Sequence, residues 1–129
     1  REALYGVFSA LASGRDPPAA DFDLVRREAE RAQAALTLAR TPAGFAWAFL
    51  ETDGLDAVAL RLAHEAAALL TDPRLKRVKE CFGTNCGWLF LDASRNGHRR
   101  WCSDADCGTA ARVRRLRARR RAEPRCEPA

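Results

Sequence analysis

Residues Cys81 to Cys107 read CFGTNCGWLFLDASRNGHRRWCSDADC and place four cysteines in the order C-x4-C-x15-C-x4-C. Two clips of equal length flank a hairpin-sized insert, a pattern that one metal ion explains. Four thiolates around a tetrahedral centre need sulfurs about 4 Å apart, since Zn–S bonds are ~2.3 Å long. Glycine and small polar residues inside each clip suit such tight loops. The expected ligands are Cys81, Cys86, Cys102 and Cys107.

The insert carries its own local signal. Gly87 to Ser94 (GWLFLDAS) is rich in apolar and aromatic residues, and Asn96-Gly97 follows between Arg95 and His98. Asn-Gly between strand-like runs predicts a type I′ hairpin, with positive φ at both central residues. Pairing Arg95 with His98 places Trp88, Phe90, Asp92, Ser94, Arg99 and Trp101 on one face, where the three aromatics read as a small core beside the metal, with base stacking on them as the alternative. Beyond Cys102, Ser103 and Asp106 have the spacing of a capping box. Cys107 then falls in the first turn of a helix expected from about Asp104 to Arg121, ending before Pro124. A knuckle, a hairpin and a helix bearing the last ligand make a treble-clef-like module.

These residues also carry a resemblance. Cys81, Cys86, GWLFLD, SRN, RRWCS and Cys107-Gly108, followed by a basic helix, resemble the CGNR zinc-finger family over roughly Val78 to Arg121. In that family the finger follows an α-rich domain called ABATE, and members are assigned to stress-induced transcription regulation. The preceding segment, including REALYGVFSALASGR, is more loosely similar to ABATE. One departure stands out: Thr109-Ala110 occupies the place of the family's Asn-Arg, which leaves Arg112 as the nearest basic substitute.

Charge divides the chain. Residues 1–73 hold 7 Arg against 11 acidic side chains, a net of −4, whereas residues 74–129 hold 15 basic against 6 acidic, a net of +9. An acidic body with a basic appendage is the asymmetry of a polyanion-binding protein. A solvated arginine-rich helix is the plainer alternative. The arginines expected to meet nucleic acid are Arg95, Arg99 and Arg100 on the insert, and Arg112, Arg114, Arg115, Arg117, Arg119, Arg120 and Arg121 on the helix. Val113 and Leu116 mark its expected packing face.

Upstream, the fold class reads as α+β, with a mainly helical N-terminal domain containing a β-hairpin. Leu4, Val7, Phe8 and Leu11 have helical spacing, stopped by Gly14 and Pro17-Pro18. A second helix is expected from Asp21 or Asp23 to about Ala35, burying Phe22, Val25, Ala29, Ala32 and Leu36. Alternation around Thr41-Pro42-Ala43-Gly44 predicts a hairpin whose Phe45, Trp47 and Phe49 pack on the helices. Thr52 or Asp53 should cap a third helix, about Leu55 to Leu70, with Val58, Leu62, Ala66, Leu69 and Leu70 inward and His64 structural. The expected division is an acidic domain over 1–73, opening on Arg1 inside a helical pattern as if continuing upstream, then a zinc module over 74–123 and a tail over 124–129. Arg74, Lys76, Arg77 and Lys79 read as a basic linker.

No phosphate loop, Ser/His/Asp arrangement or His-x-Glu deaminase pattern occurs, and four cysteines close a zinc shell. The expectation is a structural zinc ion in a non-enzyme. Disulfides, a redox pair and a four-thiolate iron centre are the competing readings of the cysteines, and Cys126 reads as a free tail thiol. Unpaired cysteines point to a reducing, cytoplasmic compartment, nucleoid-associated if DNA is bound, and no apolar run of ~20 residues occurs to span a membrane. DNA is the leading partner. RNA, a ribosomal site or an acidic protein partner are alternatives, a homodimer is compatible, and no polar site for a small effector emerges.

Overall fold

The computed structural model describes residues 1–49 and 54–122. Readings that involve Leu50, Thr52, Asp53, Pro124 and Cys126 lie outside the described residues. The chain divides into two compact units, the second beginning at Arg77.

The first unit contains α1 (Glu2–Ala12), α2 (Ala19–Ala34), β1 (Leu36–Thr41), β2 (Gly44–Phe49) and α3 (Leu55–Thr71), and a 3-10 turn (Pro73–Arg77) follows. The architecture is mixed α+β, as the sequence implies. Helix α1 stops where Gly14 takes φ +68°: its N–H donates to Leu11 O and that of Arg15 to Ala10 O, the paired bonds of a Schellman cap. Gly6 lies against the Asp21 carboxylate of α2, which would have to move to admit a Cβ there. Ala3, Val7 and Val25 form one buried cluster, joined by Leu4, Leu11 and Leu70. Ala32, Leu60 and Ala63 form another, joined by Ala35 and Phe49.

Two expected faces turn out otherwise. Strands β1 and β2 pair antiparallel with Leu36 opposite Phe49, Leu38 opposite Trp47 and Arg40 opposite Phe45. Only Phe49 of the three aromatics packs inward, with its ring edge-on to His64 at 5.7 Å. Phe45 and Trp47 are 70% and 68% exposed, so the aromatic face is largely open rather than laid on the helices. In α3 the buried stripe is Leu60, Ala63 and Ala66, whereas Val58 and Leu62 are exposed. This helix has apolar residues on several sides, so periodicity offers two stripes. The stripe richer in alanine faces Ala32, where small side chains let helix backbones approach. Helix α2 buries Val25 and Ala32 but leaves Phe22 exposed.

The second unit contains β3 (Val78–Glu80), β4 (Leu89–Leu91), a π-helical turn (Asp104–Gly108) and α4 (Thr109–Ala122). Its hairpin is built differently from the expected one. Strand β4 pairs antiparallel with β3, Lys79 opposite Phe90, and the first cysteine clip is the tip of this hairpin. Residues 98–101 form no strand. Asn96 does not take positive φ; only Gly97 does, at +65°, and its N–H donates to Ser94 O. The returning chain bonds the Asp92 side chain instead of a strand ladder. Among the described residues no helix is long and apolar enough to cross a membrane.

Candidate metal centre and basic helix

The first clip is a knuckle. Cys81 N–H donates to Trp88 O at 2.8 Å, closing the hairpin, and Cys86 N–H donates to Gly83 O at 3.1 Å. Asn85 and Gly87 take φ +58° and +64°, a left-handed region that glycine and asparagine enter most readily. Gly83 has a further constraint. A Cβ there would stand 2.9 Å from Cys107 Sγ and 3.0 Å from Cys86 Cβ, so only glycine admits the second clip this close.

The second clip ends in the turn before α4. Ser103 Oγ accepts the N–H of Asp106 at 3.2 Å and donates to its carboxylate at 2.7 Å. The capping pair thus forms, with the acidic side chain meeting the serine hydroxyl. The next turn is wider than α-helical, because Gly108 N–H donates to Ser103 O five residues back. Helix α4 therefore starts at Thr109, and Cys107 lies in the π turn ahead of it.

These loops bring all four sulfurs within 4.8 Å of one another. Cys86 and Cys102 Sγ are 3.6 Å apart, and Cys102 and Cys107 Sγ 3.8 Å. A tetrahedron with ~2.3 Å metal–sulfur bonds has edges of about 3.8 Å, whereas a disulfide needs ~2.05 Å. The separations fit a tetrahedral metal and no disulfide. Cys81 is buried, and the other three ligands are partly so.

Electrostatics separate the sulfurs. Burial opposes ionisation of Cys81, but N–H donation from Cys102 and Gly83, each at 3.3 Å, brings its thiol down to about 7. Cys107 is pushed up to about 12, first by sharing hydrogen bonds with Cys86 and Cys81 and then by burial. Burial also raises Cys102. Several thiols crowded at one point resist ionising together, and a divalent cation relieves that repulsion.

The sequence reading missed the brace beneath this centre. Asp92 is fully buried. It accepts hydrogen bonds from Lys79 Nζ at 2.7 Å, Ser94 N at 3.0 Å, Ser94 Oγ at 2.5 Å and Arg99 N at 3.0 Å. Lys79, then Ser94, hold its carboxyl well below the usual carboxylate range. Arg77 donates to Asp92 O and Ser94 O at 3.1 and 2.9 Å. Arg77 and Lys79, read as linker, thus belong to the module. The legible signal was an acidic residue ending an apolar strand, with Ser94 two residues on to close an Asx turn.

The ten arginines fall into two groups. Arg99 donates to Trp101 O at 2.8 Å and to Cys102 O, and its guanidinium lies 4.8 Å from the Phe90 ring centre. Arg100 lies over Phe82 and Trp101. Arg112 pairs with Asp104 at 3.1 Å and donates to Thr109 Oγ1 at 3.0 Å. Thr109 is therefore part of what holds Arg112. By contrast Arg95, Arg114, Arg115, Arg117, Arg119, Arg120 and Arg121 are exposed and make no ion pair among the described residues. Ala111 is the buried residue of α4; Val113 and Leu116, expected to pack, are exposed.

No curated protein matches the chain significantly. Two family models do. The CGNR zinc finger matches residues 77–120, spanning all four cysteines, which makes zinc the metal that this sulfur cluster serves. The ABATE model, described as "Putative stress-induced transcription regulator", matches residues 1–73, more than half of the chain. With the sulfur tetrahedron on one side of residue 77 and the α-rich unit on the other, the chain belongs to the ABATE family and carries a CGNR zinc finger.

Proposed function

We propose that this chain is a DNA-binding transcription regulator in which one structural zinc ion fixes the root of α4 and presents its arginines to phosphates. The observation that carries the reading is the state of α4 beyond Ala111. Six arginines from Arg114 to Arg121 are exposed and lack a described acidic partner, and they occupy all sides of the helix. A protein gains nothing in stability from that density of like charge, whereas a polyanion neutralises it. Arginine can grip phosphates or donate two hydrogen bonds to guanine in the major groove. Arg95 extends the same surface onto the insert, while Arg99, Arg100 and Arg112 contribute through the parts they hold in place.

Zinc acts here by folding. Four sulfurs complete its tetrahedron, so no position remains for water or substrate, and we assign the protein a binding role without catalysis. A DNA-binding regulator works in the reducing cytoplasm, at the nucleoid, where cysteine ligands stay unoxidised. The test is a salt series of duplex binding by the zinc-loaded chain. With roughly four to six phosphates neutralised, log K falls with log salt at a slope of ~−4 to −5. The double substitution Arg114→Ala/Arg115→Ala should shallow that slope by about two. A flat salt response overturns the reading.

A further inference from the structure

The knuckle carries rings that the module's core does not use. Phe82 sits between the ligand Cys81 and Gly83 and is 63% exposed; Trp88, whose carbonyl closes the knuckle, is 71% exposed. Both are held by a rigid frame, because the ligand loop fixes their backbone. Phe82 N–H donates to Arg100 O at 3.1 Å, and its ring meets Trp101 edge-on with centroids 6.4 Å apart. The Arg100 guanidinium stands 5.0 Å from the Phe82 ring centre and 5.6 Å from that of Trp101. The Arg100 guanidinium and the rings of Phe82 and Trp101 are thus already assembled, with little ordering left for a partner to impose.

Charge narrows what that partner is. From 77 to 122 the chain has twelve arginines and lysines against four acidic residues. Such a surface repels a second copy of itself and attracts an anion. An anionic partner that also offers flat π faces is a nucleic acid whose bases are not already stacked on each other. Duplex bases are hidden in their own stack; unpaired ones are free to lie on an aromatic ring or a guanidinium plane.

We propose that the exposed Phe82 ring with its Arg100 guanidinium, and Trp88 on the other arm of the same knuckle, are stacking sites for unpaired bases, so that the preferred ligand is DNA with a single-stranded segment beside a duplex that α4 grips. This rests on the DNA reading of α4. The test uses the zinc-loaded full chain at fixed, near-physiological salt with three fluorescent probes: a duplex, one of its strands alone, and the same duplex with a central unpaired bubble. The bubble should bind tighter than the plain duplex. Trp88→Ala and Phe82→Ala should each weaken bubble and single-strand binding by roughly fivefold or more, while duplex affinity and its salt slope stay unchanged. Trp88→Phe, which keeps a ring, should retain most of the preference and guards against a misfolded alanine variant.

Salt-dependent binding that is equal for duplex and bubble, and indifferent to the ring variants, overturns this proposal and leaves the α4 reading standing. Absence of salt-dependent binding to every probe overturns the α4 reading, and this proposal with it. A sedimentation change in Trp88→Ala without a change in DNA binding overturns it in favour of a self-association surface. Preference for an RNA strand over all DNA probes overturns the assignment to DNA.

Discussion

The two units of this chain are held by different means. The first buries small apolar clusters, Ala3 with Val7 and Val25, and Ala32 with Leu60 and Ala63. Within the second, the buried apolar residues are Val78, Cys81 and Ala111, and a carboxylate, Asp92, is fully buried beside them. A module with so little apolar burial cannot rest on the hydrophobic effect, and its stability must come from sulfur–metal bonds and a satisfied polar brace. The same contrast accounts for what each unit can offer a partner: a metal-fixed frame can leave Trp88, Phe82 and all of distal α4 outside, because none is required to fill a core.

Removing zinc should give the largest effect and tests the contrast directly. Structural zinc sites contribute on the order of 10–16 kcal/mol of apparent binding energy in peptides. A strong chelator, or Cys81→Ser, should therefore unfold the second unit while amide exchange protection in α1, α2 and α3 persists. Loss of protection in both units at once would show that they are not energetically separate.

Asp92→Asn sharpens the point within the module. The neutral amide leaves Lys79 facing a partner without charge and places an NH2 where a donor, Lys79 or Arg99 N–H, already points. Because metal binding and folding are coupled, zinc retention measured by competition with a chromogenic chelator should weaken roughly tenfold or more. An unchanged affinity would reduce the brace to an incidental contact.

In the first unit the choice of face on α3 is open to a paired measurement. Leu60→Ala removes a buried side chain and should cost about 2–4 kcal/mol in urea unfolding. Leu62→Ala, two residues away and exposed, should cost less than ~0.5 kcal/mol. Equal losses would return the inward face to the stripe that periodicity first suggested. Neither change should alter zinc affinity.

The smallest effect is a pH dependence at the end of α3. Asp72 accepts the Arg74 guanidinium and its backbone N–H, at 2.8 and 2.7 Å, and the side-chain bond is the main reason its carboxyl is lowered to about 2. A carboxyl lowered by folding adds stability that is full above its ordinary value near 4 and fades as pH falls toward 2. Arg74 is exposed and Asp72 partly so, and water and salt therefore screen the pair. Between pH 6 and pH 3 wild type should lose slightly more stability than Asp72→Asn; identical slopes would remove the pair from the account.

The comparison also separates what could be read early from what could not. Cysteine spacing located the ligand loops because chain length alone limits which sulfurs can meet. The capping pair Ser103 and Asp106 was legible for the same reason: its partners are three residues apart. Asn96-Gly97 misled, since the tendency of that dipeptide to form a hairpin is outweighed when Asp92 turns inward and takes the Arg99 N–H for itself. Arg77 and Lys79 look like solvated linker charges until the fold brings Asp92 to them from more than a dozen residues away. Gly83 and Gly108 look like ordinary turn residues, but Gly83 is required by a sulfur from a distant clip and Gly108 lies against Asp104 and Trp101.

By itself the sequence determined the elements governed by near neighbours: the helices and their stops, the β1–β2 hairpin, the sulfur set, and the concentration of arginine beyond Cys107. Only the tertiary structure decided which of two apolar stripes on α3 faces inward, which strand pairs with β4, and which arginines are engaged by protein groups. Those outcomes depend on groups far apart in the chain competing for one partner, and that competition is resolved by the free energy of burial and hydrogen bonding once they are brought together, not by any local preference.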